Sequence, residues 1–343
     1  MKKYLLPKVG NFYKANLHCH TTLSDGCLTP EEVKEFYKSQ GYSIVAYTDH
    51  DVMIPHHDLR DDNFLPLTGF EMEINESFND DCPPMEFIDM RVCHLCFIAL
   101  DEATDKQIMF NPEYCFGNGV NTAKLVKPDE KTVGFERKYT HERINEMIKT
   151  GRDNRFFVTY NHPAWSLESY PEYIGYKDMN AMEIFNSGCV IAGYNDYNAH
   201  VYDDMLRAGK RLYCIAADDN HNRHQDSRDC DSFGGCTMIK ADKLEYSEIT
   251  KALSDGNFYA TQGPEIKNLW FEDGKIHIDC SPAEKIICTV GRRRMQIKWA
   301  HFHNCIDTAE FEILPEDKYV RLTVVDSYGR CADTNAYFTD ELF

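Results

Sequence analysis

Seven short runs rich in β-branched and aromatic residues recur along the first two thirds of the chain, separated by helix-length or longer segments: FYKANL, YSIVAYT, FLPLTGF, RVCHLCFIAL, RFFVTYN, AMEIFN and RLYCIAA. Strands that alternate with helices in this way pair into a parallel sheet, because each crossover is long enough to return the chain to the same end. The helices carry their own signals. TPEEVKEFYKSQG offers Thr29 as N-cap, Pro30 at the first helical position, paired glutamates in the first turn and Gly41 as a stop, and THERINEMIKTG opens on Thr140 and closes on Gly151. An α/β unit is expected over residues 1–263.

After ATQGPE the pattern changes. NLWFEDGKIHID, TAEFEIL and KYVRLTVVDSYGRCADTNAYF alternate with a period of two, with EDGK and SYGR as turn signals and no long helical period. A small antiparallel β-sandwich is expected over 264–343. Two polar stretches, about 101–139 and 222–235, are too long for simple connections and are expected to cap the site and choose the substrate.

The net charge of −19 repels phosphate backbones and anionic membranes, so no stable nucleic-acid complex or membrane association is expected. The start, MKKYLLPKVG, has too short an apolar run for a signal peptide, and no run approaches the roughly 18 apolar residues of a membrane span. Fourteen cysteines without regular spacing then read as reduced thiols in a cytoplasmic protein. Cys93 and Cys96 form a C-x-x-C, but no second pair completes a zinc ribbon. Cys230 and Cys236 flank a loop and read as exposed thiols.

The chemistry lies where the runs end. The first runs out into His18, His20 and Asp25, the second into Asp49 and His50, the third into Glu71; His94 lies on the fourth; the fifth delivers His162, and the last Asp218, Asp219 and His221. In a β/α barrel the C-terminal strand ends converge on one face, so these groups would share one pocket. Imidazoles interleaved with carboxylates suit zinc, iron or manganese, whereas calcium and magnesium favour oxygen donors alone. The H-x-H spacing fits an extended strand, where residues i and i+2 point the same way and can chelate one ion. Asp49 and Asp218 are candidates for orienting those ligands as hydrogen-bond acceptors. His277, His301 and His303, in the tail, are assigned surface or packing roles.

The ordered set HCH, SDG, TDHD, GFE, CHL, NHP and DDNH resembles the PHP (polymerase and histidinol phosphatase) family of metal-dependent phosphoesterases, and the small sandwich that follows resembles its two-domain hydrolases. The resemblance implies a distorted seven-stranded β/α barrel and two to three divalent ions, zinc, manganese or iron. One ion would take His18, His20, Glu71 and Asp219; Glu71 would bridge to a second, completed by His94 and His162; Asp25, His50 and His221 would hold a third. It implies attack by a metal-held hydroxide on the phosphate ester of a small metabolite or nucleotide, with the same site able to cleave carboxyl esters or carbamates. The chain departs from the nucleotide-phosphatase pattern at NHPAW, where Ala164 and Trp165 stand in place of an arginine. Arg223 is a candidate for that cation, with plain solvent exposure as its other reading.

Overall fold

The structure, a computed structural model, describes residues 2–301 and 304–343, so His303 lies outside the described residues. All seven runs are strands: after β1 (Lys3–Tyr4) come β2 (Asn11–Asn16), β3 (Ile44–Tyr47), β4 (Leu65–Asn75), β5 (Val92–Ala99), β6 (Phe156–Tyr160), β7 (Ala181–Asn186) and β8 (Tyr213–Ala217). Two further strands, β9 (Cys236–Ala241) and β10 (Phe258–Thr261), precede the tail. The tail contributes β11 (Ile266–Glu272), β12 (Lys275–Ala283), β13 (Lys285–Val290), β14 (Gln296–Trp299), β15 (Ile306–Glu312), β16 (Tyr319–Val325), β17 (Cys331–Thr334) and β18 (Tyr337–Phe338).

The expected distorted seven-stranded β/α barrel with a parallel sheet is corrected on two points. First, β5 runs antiparallel to both β4 and β6, while β2–β3–β4 and β6–β7–β8 are parallel. The link from β4 to β5 carries only two 3₁₀ turns, so the chain doubles back instead of crossing over. Second, the sheet does not close. The edge of β2 that β8 would need is taken by β9, antiparallel from Asn11 to Ala15, and the path runs β14–β13–β16–β17–β10–β9–β2–β3–β4–β5–β6–β7–β8. Its two arms touch just beyond the strand ends, where Cys19 and Asn220 form an isolated parallel bridge and Asp219 N–H donates to the His18 carbonyl at 3.0 Å.

Helices cover this sheet from outside. Thr29 caps Pro30–Lys38 through a full capping box with Glu32, and the helix buries Val33 and Tyr37 against Val45 and Tyr47. The helix His141–Asp153 starts at its Thr140 cap but runs past Gly151. That glycine is a packing position: a Cβ there would lie 2.6 Å from the Phe97 ring. On the inner face Ala15, Ile44, Leu65, Phe157 and Ala181 pack with Tyr246, Ile249 and Leu253 of the helix Tyr246–Asp255, which plugs the end away from the histidines. No helix among the described residues is long and apolar enough to cross a membrane.

Strand pairs within the tail are all antiparallel, and β13, β14, β16 and β17 extend the main sheet through β10. The EDGK turn is a two-residue hairpin with Asp273 at φ 50° and Gly274 at φ 75°. A second sheet, β1–β11–β12–β15, packs on β13 and β16 through Leu269, Ile278, Phe311, Ile286, Leu322 and Val324. Across the junction, buried Arg321 of β16 makes a bidentate pair with Asp203 of the helix Ala199–Arg207 (Nε to Oδ1 2.8 Å, Nη2 to Oδ2 2.9 Å) and donates to Asp333 at 3.1 Å. Tyr197 also donates to Asp333, at 3.1 Å.

Candidate metal centre

All nine sequence-assigned residues meet at one end of the sheet. His94 belongs there because β5 is reversed: a residue near its start lies at the same edge as the C-terminal ends of its neighbours. On HCH, His18 and His20 turn the same way and bring their Nε2 atoms to 3.0 Å of each other. Both face Asp219 Oδ1, at 3.2 and 2.9 Å, and the two oxygens of Glu71, at 3.2 and 3.4 Å. Glu71 also lies 3.2 Å from His94 Nδ1, 3.5 Å from His162 Nε2 and 3.3 Å from His50 Nδ1. Asp25 Oδ2 is 3.1 Å from His221 Nε2, and the His20 ring stacks against those of His50 and His221, at 4.3 and 4.4 Å.

Grouped by donor atoms within 4.8 Å of one another, the sets are His18–His20–Glu71–Asp219, His20–Asp25–His50–His221, His50–Glu71–His94 and His18–His162–Glu183. The first coincides with the ligand set implied by the resemblance. The third implied set gains His20. His162 groups with His18 and Glu183 and, like His94, also lies within 3.5 Å of Glu71 Oε1.

The local backbone is shaped for this convergence. His162 sits at φ 26° and Asp219 at φ 53°, a region that costs a non-glycine residue about 1–3 kcal/mol and that surrounding contacts must enforce. Asn161 donates to Glu71 Oε1 at 2.8 Å and Asn186 to Asp219 Oδ2 at 3.2 Å. Gly26 allows the SDG turn to fold back, since a Cβ there would lie 2.6 Å from the His20 carbonyl oxygen.

Sequence reasoning missed Glu183 and Glu73. Glu183 Oε1 lies 2.7 Å from His18 Nδ1, and its other oxygen accepts from the His162 N–H at 3.0 Å. Glu73 Oε2 lies 3.4 Å from His94 Nε2. Asp49 and Asp218 do not bind the imidazoles as expected: Asp49 accepts from Thr21 and Ser24 in the HTTLSDG loop, and Asp218 from Tyr37 and the Phe233 and Gly235 N–H groups. They hold the site's loops. Asp231 ties the 222–235 segment back by accepting from the His221 and Asn222 N–H groups. The other long segment inserts buried Arg137, which pairs with Asp51 and donates to the Glu73 carbonyl at 2.8 Å. Cys236 is buried, contrary to its reading as an exposed thiol.

Burial alone would neutralise these acids and bases, yet most stay charged. Burial raises Glu71, but His18, His94 and His50 outweigh it and hold the carboxyl well below its usual range. Asp219 and Asp25 are held low in the same way, by His18 and by His221 respectively. Burial opposes charge on His94, but Glu71 pushes it up to about 10; His50 is pushed down to about 3 by burial and by His20. His20 Nδ1, His50 Nδ1, His94 Nδ1 and Glu71 Oε2, all buried, find no hydrogen-bond partner among the described residues. Glu71 Oε2 and His50 Nδ1 lie 3.3 Å apart with neither in a hydrogen bond, and this mixed nitrogen and oxygen donor set fits a divalent transition ion.

The loop after His162 rests on a polar cage. Tyr139 and Tyr160 donate to buried Glu168 at 2.6 Å each, and Tyr176 donates to it as well. Burial pushes this carboxyl up to about 7, although the hydroxyls pull the other way. The raised value makes the neutral acid the favoured folded form, so stability is full below about pH 4.5 and falls as pH rises toward 7. At about 1.4 kcal/mol per unit the loss is roughly 3 kcal/mol. Urea titrations at pH 5 and pH 8 should show that much less pH dependence in Glu168→Gln, and an unchanged dependence would assign the slope elsewhere.

No family model and no curated protein matches the chain. Among solved structures it is similar to a two-domain protein from Bacteroides vulgatus containing a predicted PHP-like metal-dependent phosphoesterase, at 13% identity and TM-score 0.41 over 94% of each chain. It is also similar to a putative metal-dependent phosphoesterase from Bifidobacterium adolescentis, at 13% identity and TM-score 0.38 over 62% of this chain and 89% of that one. An amidohydrolase from Chromobacterium violaceum with bound sulfate gives 15% identity and TM-score 0.40 over 63% of this chain and 93% of that one.

Proposed function

We propose that the chain is a metal-dependent hydrolase of small phosphate esters, with His18, His20, Asp25, His50, Glu71, His94, His162, Asp219 and His221 holding two or three divalent ions. The observation that carries this reading is the buried convergence of imidazole and carboxylate atoms on Glu71, with four of the buried polar atoms left unpartnered. Ions held there would supply positive charge to an anionic ester and make water nucleophilic near neutral pH. The chain's own part is positioning. Glu183 and Glu73 hold the His18 and His94 rings, Asn161 and Asn186 hold the two central carboxylates, and the strained backbone at His162 and Asp219 aims both inward.

Glu183→Gln is expected to weaken metal affinity about 10- to 100-fold without loss of fold, the usual effect of removing a partner that orients a ligand. A chelator-competition titration reads it, and unchanged affinity would make Glu183 a packing residue.

A second reading, hydrolysis of carboxyl esters or carbamates, draws on NHPAW: the Ala164 and Trp165 N–H groups bind Asp196, at 3.4 and 2.9 Å, and no arginine stands there. The deciding experiment is metal content by mass spectrometry on protein purified without added metal or chelator, run beside phosphate release from a phosphomonoester panel, for wild type and His20→Ala. Two to three ions with phosphate release lost in the variant supports the first reading. Metal without phosphate release points to carboxyl esters and carbamates, and no metal overturns both.

A further inference from the structure

We propose that the mouth of this pocket is an aromatic clamp that selects monoesters of flat, apolar alcohols over nucleoside bisphosphates and polyphosphates; this rests on the phosphoesterase reading. The cavity over the histidines has a volume of about 610 Å³, room for a drug-sized ligand. Phe116, brought in by the 101–139 segment, lines it with its ring 4.9 Å from that of His50. Trp165 lines the same cavity 5.3 Å from His94 and 5.1 Å from His162, with Phe87 beyond it at 6.4 Å. Phe87 and Phe116 are 48% and 38% exposed, so two large apolar rings face water at the entrance of a charged site. A flat apolar group seated between them would take that surface out of water and stack on the rings.

Charge decides against the alternatives. Asp25, Glu71, Glu73, Asp219 and Asp231 line the cavity, and exposed Arg223 is its one arginine or lysine among the described residues. One phosphoryl group can be met at the histidine and carboxylate cluster. A second phosphate would face carboxylates with a single cation to answer them. In the step itself water forms the new bond to phosphorus, the ester P–O bond breaks, and the alcohol leaves with the proton that water gives up.

The test uses the metal-loaded full chain with naphthylmethyl phosphate and ethyl phosphate, whose leaving oxygens differ little in basicity, and with a nucleoside 3′,5′-bisphosphate. Naphthylmethyl phosphate should exceed the other two in kcat/KM by about tenfold or more, chiefly through KM, the size expected of an added apolar contact. Phe116→Ala and Phe87→Ala should collapse that ratio, and Phe116→Tyr should restore it. Calorimetric titration with naphthylmethylphosphonate, which cannot be cleaved, reads the clamp independently. Equal kcat/KM for all three esters, or preference for the bisphosphate, overturns the clamp and leaves the phosphoesterase reading standing. Phosphonate binding lost in Phe116→Ala supports the clamp even if no ester is cleaved, an outcome that instead overturns the phosphoesterase reading.

Discussion

Glu71→Gln is expected to yield a folded protein that loses at least one bound ion and about three orders of magnitude or more in hydrolysis, the several kcal/mol that metal charge contributes to a transition state. The reason is geometric. One carboxylate, fully buried, has oxygens within 3.5 Å of nitrogens from His18, His20, His50, His94 and His162, so it joins donor sets that otherwise belong to different strands. The amide keeps the shape and the Asn161 contact on its carbonyl oxygen, so the helices and sheets have no reason to change. What goes is the negative charge the imidazoles surround. Metal content, circular dichroism and phosphate release on the same sample check the three parts together. Full metal occupancy with activity within tenfold of wild type would remove Glu71 from the centre.

Arg321→Met should lower global stability by about 3–5 kcal/mol, read as a shift of the urea midpoint at unchanged slope. The substitution leaves Asp203 and Asp333 buried, charged and unpaired, and breaking one side of a buried pair costs far more than the pair contributes. The triple variant Asp203→Asn, Arg321→Met, Asp333→Asn removes all three charges and should recover most of the loss. If the single variant costs under 1 kcal/mol, the network is solvated in solution. Its position gives the change a second consequence. Asp333 holds Tyr197, whose neighbour Asp196 holds the N–H groups of Ala164 and Trp165 beside the pocket.

The strands and most of the donors at their ends are legible in the sequence because the two signals are independent: apolar runs mark the strands, and histidines or carboxylates directly after them do not belong in a core; Glu71 is the exception, because β4 continues past it to Asn75. AMEIFN is a strand at Ala181–Asn186, as read, yet its Glu183 passes unnoticed. A single acid inside a short run looks like a solvent-facing alternate. Only the fold brings His18, 165 positions away, to its side. A lone carboxylate in an otherwise apolar run is the signal that was available. The reversal of β5 is hidden for another reason: RVCHLCFIAL has the composition of a central strand in either direction, and direction depends on the polar segment before it. CTMIKA and FYAT, not among the seven runs, become β9 and β10, and β9 is the strand that keeps the barrel open.

That detail bears on which strand edges the fold leaves open. β10 has β9 along one edge from Phe258 to Thr261 and β17 along the other from Tyr259 to Thr261. Without the tail, the Tyr259–Thr261 edge would lie bare, a short apolar template for strand addition by another molecule. By pairing β17 with this edge, the tail takes that template away.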